Sequence, residues 1–64
     1  MKFKVGDTVE KLDFDLKPTG YYGLVMYFKL IGNTEYIAVD FNWDKDIIMP
    51  KYLRKLSKLE QAMR

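Results

Sequence analysis

Cysteine and histidine are both missing from this sequence of 64 residues. Without cysteine no disulfide can staple the fold, and without either residue the usual ligands of zinc are absent. The lack of histidine also removes the commonest general base, and the few hydroxyl side chains have no base of suitable pKa beside them. We therefore expect a protein that is not an enzyme, with no catalytic residues, no metal site and no cofactor.

Long apolar runs are lacking as well. The longest one, residues 21–31, is interrupted by Gly23 and Lys29 and is shorter than the roughly 20 apolar residues of a membrane span. The first four residues include two lysines instead of the apolar stretch of an export signal. We therefore expect a cytoplasmic protein with no membrane partner.

Apolar and aromatic side chains are abundant, at 48% and 16% of the residues. This composition excludes intrinsic disorder, and a chain of this length forms one domain. A domain of this size buries only about 60% of the surface that its unfolded chain exposes. Because the core cannot enclose all of the aromatic rings, we expect some of them on the surface.

The net charge of +2 is unevenly distributed along the chain. Residues 1–50 carry six basic and eight acidic side chains, for a net charge of −2. Residues 51–64 carry five basic side chains and one acidic side chain, for a net charge of +4. The body is therefore acidic and the C-terminal segment is basic.

Strand patterns occupy the middle of the chain. Residues 22–31 favour a strand and have apolar side chains at both parities, which predicts either burial on both faces or strong bending. Gly32 and Asn33 predict a hairpin turn. Residues 35–41 then alternate cleanly. The inward side chains of that strand are predicted to be Ile37, Val39 and Phe41.

The N-terminal part predicts a turn at Gly6 and a short strand in which Val5 and Val9 point inward. A loop is expected over residues 13–20, which are rich in turn formers. Near the other end, residues 47–49 favour a short strand that stops at Pro50.

The last quarter of the chain is ambiguous between helix and strand. Residues 50–53 suit a single 3₁₀ turn. The leucines and methionine that follow recur every three or four residues, which fits an amphipathic helix, and a final short strand over residues 54–57 is the alternative.

This order of signals resembles the bacterial SH3-like β-barrels, including their KOW and Tudor-like members. The similarity rests on Val-Gly-Asp-x-Val at residues 5–9, Gly-x-x-Gly-x-Val at 20–25, the alternating strand and Ile-Met-Pro at 48–50. The resemblance implies a mainly β protein, a small five-stranded SH3-like barrel over residues 1–56 with a short basic helical tail over residues 57–64. Barrels of this kind bind proline-rich peptides, modified side chains, nucleic acid or one another.

Two narrower families are similar in layout. Peptide-binding eukaryotic SH3 domains place an acidic loop opposite a tryptophan, but their aromatic first-strand motif is replaced here by Thr-Val-Glu at residues 8–10. Plasmid-borne type II dihydrofolate reductases rely on a Gln-Ile-Tyr segment, where this chain has Ile-Ile-Met at residues 47–49. The reductase activity is therefore not implied.

Aromatic residues beside the predicted loops form the first candidate site. Their rings would meet at one end of the barrel and stack on a partner's proline, base or cation. The predicted partner-binding residues are Tyr21, Tyr22, Tyr36, Trp43, Asp13 and Asp15. We expect a non-catalytic binding module for a protein partner or a second copy, and the composition suits an accessory protein of a phage or plasmid.

Basic residues form the alternative site, which would neutralise the phosphates of a nucleic acid. They are Lys17, Lys29, Lys51, Arg54, Lys55 and Lys58. The acidic character of the body that carries the aromatic rings disfavours this alternative. A solvated helix face is the ordinary explanation of the basic tail, and contact with the acidic body of another copy is a third reading that rests on the charge split alone.

Overall fold

The strand-forming segments pair into one antiparallel sheet in the computed structural model, which describes residues 3–62 apart from the side chain of residue 61. A 3₁₀ turn (Pro50–Tyr52) precedes the last strand and a helix, α1 (Lys58–Ala62), follows it. The strands are β1 (Thr8–Leu12), β2 (Pro18–Ile31), β3 (Thr34–Asp40), β4 (Lys45–Ile48) and β5 (Leu53–Lys55). The predicted mainly β class with a short C-terminal helix is confirmed.

The strands lie in the order β4-β3-β2-β1-β5, so β4 and β5 form the two edges of the sheet. Within residues 3–62 these edge strands do not pair with each other. The sheet is therefore open, rather than the closed barrel that the resemblance implies. The long strand β2 is shared, since its first half pairs with β1 and its second half with β3.

A register shift between Val25 and Tyr27 bends β2 where it passes from β1 to β3. An extra residue in one strand of a pair increases the local twist and redirects the strand. Strong bending of this segment is therefore confirmed. Burial on both faces is wrong, because Leu24 and Tyr27 are 52% and 49% exposed.

The alternating strand β3 supplies two side chains, Ile37 and Val39, to the hydrophobic core, and Phe41 follows directly after the strand. Ile37 and Val39 are fully buried and Phe41 is 4% exposed, as the alternation predicts. The other buried apolar residues are Phe3, Val9, Val25, Ala38, Ile48, Leu53 and Leu56.

Phe3, and not Val5, brings the N-terminal segment into the core. Phe3 is 5% exposed whereas Val5 is 63% exposed, so the expected inward position of Val5 is wrong. The chain turns between these positions and β1, because Gly6 adopts a φ of 93° and the Asp7 amide donates a hydrogen bond to the Lys4 carbonyl at 3.0 Å.

Gly23 permits a close approach between β2 and the end of β3. A Cβ atom at this position would lie 2.6 Å from Cγ1 of Val39, 2.7 Å from the Asp40 carbonyl oxygen and 2.8 Å from the Phe41 ring. The Val39 and Phe41 side chains and the Asp40 carbonyl group therefore occupy the volume that a side chain on residue 23 would need.

The C-terminal segment contains both a short strand and a helix, the two alternatives predicted for it. Leu53–Lys55 form a strand that pairs with β1, and the helix begins only at Lys58. Leu59 is 70% exposed, so the leucine spacing does not mark the buried face of a long helix. Met63, the last residue of that pattern, lies outside the described residues. Neither helical element within residues 3–62 has the length and apolar character to cross a membrane.

Replacing Gly23 by alanine should destabilise the domain, because the added methyl group meets β3 at less than van der Waals distance. Overpacking of this kind costs about 1–3 kcal/mol. We expect a lower urea midpoint for Gly23→Ala when unfolding is followed by the fluorescence of Trp43.

The matched control is Gly32→Asn. It adds a larger side chain where nothing lies within 4 Å of a Cβ atom, at a φ of 61° that asparagine tolerates. A loss of stability as large in Gly32→Asn as in Gly23→Ala would contradict this account.

Candidate partner-binding groove

An apolar groove of about 490 Å³ opens between the loop over residues 13–17, strand β4 and the 3₁₀ turn. Four aromatic rings contribute to its wall. The lining residues are Lys11, Leu12, Asp13, Phe14, Thr19, Tyr21, Tyr36, Asp46, Ile47, Ile48, Met49 and Tyr52. We call this set the aromatic groove.

The loop at one side of the aromatic groove is held by Asp13. Its Oδ1 atom accepts hydrogen bonds from the amides of Asp15 at 2.8 Å and Lys17 at 2.9 Å, an Asx-type arrangement that defines the turn. The loop presents Phe14, which is 91% exposed and packs edge to face on Tyr52 with ring centroids 5.8 Å apart.

The 3₁₀ turn positions the Tyr52 ring on the opposite side of that contact. Pro50 starts the turn, where its fixed φ is compatible with the helical geometry, and the Tyr52 amide donates to the Met49 carbonyl at 3.0 Å. The Nζ atom of Lys51 lies 5.0 Å from the centre of the Tyr52 ring. Phe14 and Tyr52 thus form one end of the groove.

A second depression of about 230 Å³ adjoins the aromatic groove and is centred on Trp43. The Trp43 ring is 69% exposed and lies edge to face against Tyr21, with centroids 5.7 Å apart. The turn that carries it is fixed by Asn42, at a φ of 79°, and by a 2.8 Å hydrogen bond from the Phe41 amide to the Asp44 carbonyl. We call this depression the Trp43 platform.

The side chains that line the aromatic groove and the Trp43 platform carry a net negative charge. Nζ of Lys11 lies 3.7 Å from Oδ2 of Asp46, which pairs the only cation that lines the groove or the platform among the described residues. Asp13 and Asp44 remain as carboxylates of the groove and the platform, respectively. Because β1 and β4 are separated by two strands, this ion pair also shows that the sheet curls toward itself.

The structure brings together four of the six residues predicted to bind a partner. Tyr21, Tyr36 and Asp13 line the aromatic groove, and Trp43 forms the platform. Tyr22 follows Tyr21 on β2 and therefore points to the opposite face of the strand.

Tyr22 lines a separate shallow depression with Thr8 and Leu24. Asp15 lies in the loop next to Phe14 and lines neither the aromatic groove nor the Trp43 platform. These two predicted residues are thus placed away from the site that contains the others.

Sequence reasoning missed several residues of the groove. Phe14 and Tyr52 meet only through a tertiary contact between the loop and the 3₁₀ turn. The sequence signal for the turn that carries Tyr52 was present, because residues 50–53 suit a 3₁₀ turn that begins at Pro50. No local pattern distinguishes Ile47 and Met49, which line the groove, from ordinary core residues of a short strand.

Arg54, one of the residues proposed for the nucleic-acid site, binds two carboxylates of the chain. Its Nε and Nη2 atoms donate to Oε1 of Glu10 at 3.2 and 2.7 Å, and its Nη1 atom donates to Glu60 at 3.1 and 2.8 Å. The Glu10 side chain is only 3% exposed, and its Oε2 atom accepts from the Gly20 amide at 3.1 Å. The hydrogen bonds to Glu10 raise the pKa of Arg54, and those to Glu60 raise it to a smaller extent.

Glu60 also caps the helix. Its amide donates to Oγ of Ser57 at 3.1 Å, and the Ser57 amide donates to its Oε1 atom at 3.2 Å, which is a capping box. The hydrogen bond from the Ser57 amide, followed by those from Arg54, lowers the pKa of Glu60. A single chain of polar contacts thus joins β1, β5 and α1.

The remaining predicted cations lie on different elements. Lys55 forms an ion pair with Asp7 at 3.5 Å. Lys17 lies in the acidic loop, Lys29 near the far end of β2 and Lys58 at the start of α1.

Among residues 3–62 no group of three or more acidic side chains could hold a metal ion. Comparison with known proteins provides no family for this chain, since no family model, curated protein or solved structure matches it.

Replacing Arg54 by methionine should lower the free energy of unfolding by about 2 kcal/mol, because the buried Glu10 carboxylate would lose its charged partner. In a Glu10→Gln background the same change should cost less. Urea unfolding of both single variants and the double variant measures this coupling. The control is Lys58→Met, and strict additivity of the two changes would argue against the ion pair.

Acid should weaken the contribution of Glu60 to stability. Its native pKa lies below the ordinary value of 4.5, so its stabilisation is present above that value and is lost as pH falls through the lower native pKa. We expect the unfolding free energy of the wild type to decrease more steeply in acid than that of Glu60→Gln. Lys58→Met serves as the control, because it changes a neighbouring residue of α1 without removing a carboxylate, and it should follow the wild type. Parallel curves for the wild type and Glu60→Gln would contradict the assignment.

Proposed function

We propose that this chain is a non-catalytic protein-interaction module that binds an extended segment of a partner protein. The observation that carries the proposal is the continuity of the aromatic groove with the Trp43 platform through Tyr21. The two depressions share Lys11, Tyr21 and Asp46. Together they offer one elongated, mostly apolar surface bordered by carboxylates, which is the form that an extended peptide fits.

The chemistry of the surface indicates the chemistry of the segment. Apolar side chains, proline among them, suit the rings of the groove. A basic side chain suits the platform, because the open face of Trp43 attracts cations and Asp44 lies beside it. The proposed ligand is therefore an extended apolar segment with an adjacent lysine or arginine.

The fold-level part of the proposal is an SH3-like arrangement of the five strands. It is supported by the antiparallel order of the sheet, by the curl that brings Lys11 to Asp46, and by the 3₁₀ turn before the last strand. Binding rather than catalysis is supported by the hydroxyl group of Thr19 in the groove, which donates to the Lys11 carbonyl instead of facing a base.

Titration with synthetic peptides tests the function. The panel contains proline-rich peptides with a flanking arginine, the same peptides with glutamate in its place, and a single-stranded oligonucleotide. We expect the arginine peptides alone to shift the backbone amide resonances of residues that line the groove and the platform. Trp43→Ala and Tyr52→Ala should each weaken binding by at least about tenfold, because aromatic residues that become buried in an interface contribute strongly to affinity.

Tyr27→Ala is the matched control, because Tyr27 is similarly aromatic and half exposed but lies outside both depressions. Unchanged affinity in both Trp43→Ala and Tyr52→Ala, or amide shifts confined to other surfaces, would contradict the proposal. Binding of the oligonucleotide that falls steeply with salt would instead favour phosphate recognition.

A further inference from the structure

The far end of β2 is paired on one side only. Strand β1 pairs with β2 no further than Leu24, whereas β3 continues to pair with it as far as Ile31. Within residues 3–62 no strand pairs with the other side of residues 27–31, which we call the free edge.

The free edge is apolar and exposed. Its four large apolar residues are 49%, 40%, 67% and 50% exposed, and they are Tyr27, Phe28, Leu30 and Ile31. Natural edge strands are usually protected by proline, by several charges or by a covering element. Lys29 is the one charged residue in this stretch, so the free edge keeps the features of a template for another strand.

The length of the free edge is limited by the N-terminal turn. The Gly6 amide donates to the Val25 carbonyl and the Val25 amide donates to the Asp7 carbonyl, both at 2.9 Å. A second strand can therefore pair only beyond the register shift, over residues 27–31. If residues 27–31 of one copy pair in antiparallel orientation with the same residues of a second copy, Lys29 lies at the centre of the paired segment.

We propose that two copies of this chain associate by antiparallel pairing of their free edges around a two-fold axis at Lys29. The axis places Phe28 opposite Leu30 of the second copy and Tyr27 opposite Ile31. Every apolar residue of the edge then meets an apolar residue, and the two β2–β3 hairpins become one continuous sheet. A shift of the axis by one residue would set Lys29 against Tyr27 or Ile31 instead. This self-complementarity identifies a second copy as the occupant.

The area available makes the dimer weak and reversible. The four apolar residues leave on the order of 400 Å² uncovered per copy, if a large side chain carries about 200 Å². Twice that area is below the roughly 1,200 Å² of stable interfaces. The two Lys29 side chains also repel each other across the axis, so added salt should strengthen the dimer by screening them.

Sedimentation velocity of the full chain from micromolar to millimolar concentration tests the proposal. We expect the mass to rise toward that of a dimer and to rise further with salt. Leu30→Lys should weaken association at least about tenfold, because charge at an edge opposes strand pairing. Lys29→Thr should strengthen it, which distinguishes loss of the interface from loss of the fold.

Leu59→Lys is the matched control, since Leu59 is 70% exposed but lies on α1. A monomeric mass at millimolar concentration would overturn the proposal, as would equal effects of Leu30→Lys and Leu59→Lys. If Trp43→Ala dissociated the dimer and Leu30→Lys had no effect, the interface would lie at the Trp43 platform and the proposal would be wrong. Failure of the dimer leaves peptide binding in the aromatic groove unaffected, because the two surfaces share no residue.

Discussion

Both candidate surfaces of this protein depend on the bend in strand β2. The strand is 14 residues long, whereas β1 has 5 and β3 has 7, so neither neighbour can cover it alone. The shift between Val25 and Tyr27 transfers the strand from one partner to the other. The half before the shift supplies Tyr21 to the aromatic groove, and the half after it supplies the free edge.

The buried Glu10 carboxylate gives Arg54, a residue of the basic C-terminal segment, a role in stabilising the fold. Glu10 lies on β1 with almost no solvent contact, and Arg54 of β5 is its charged partner. Removing Arg54 would leave an uncompensated charge on Glu10, whose side chain is only 3% exposed. The continuation to Glu60 joins the helix to the sheet, so the positive charge of Arg54 is shared between two carboxylates.

The parts of the fold that the sequence predicts are those decided by local periodicity. The alternation of residues 35–41 identifies the buried face of β3, and Gly32 with Asn33 marks the hairpin, because side-chain direction and turn geometry are properties of neighbouring residues. Local spacing alone predicts that Val5 and Leu59 are buried, and both predictions are wrong. Each has the spacing of a core residue, but the turn at Gly6 and the short length of α1 carry them to the surface.

The sequence by itself determined the mainly β class, the excess of aromatic rings over what a small core can hold, and the lack of thiol and imidazole chemistry. Tertiary structure decided which rings meet. Phe14 and Tyr52 are separated by most of the chain but pack edge to face, whereas the adjacent Tyr21 and Tyr22 lie on opposite faces of one strand. The grouping of side chains into a surface depends on strand order, bending and register, and these follow from the packing of the whole core rather than from any short segment.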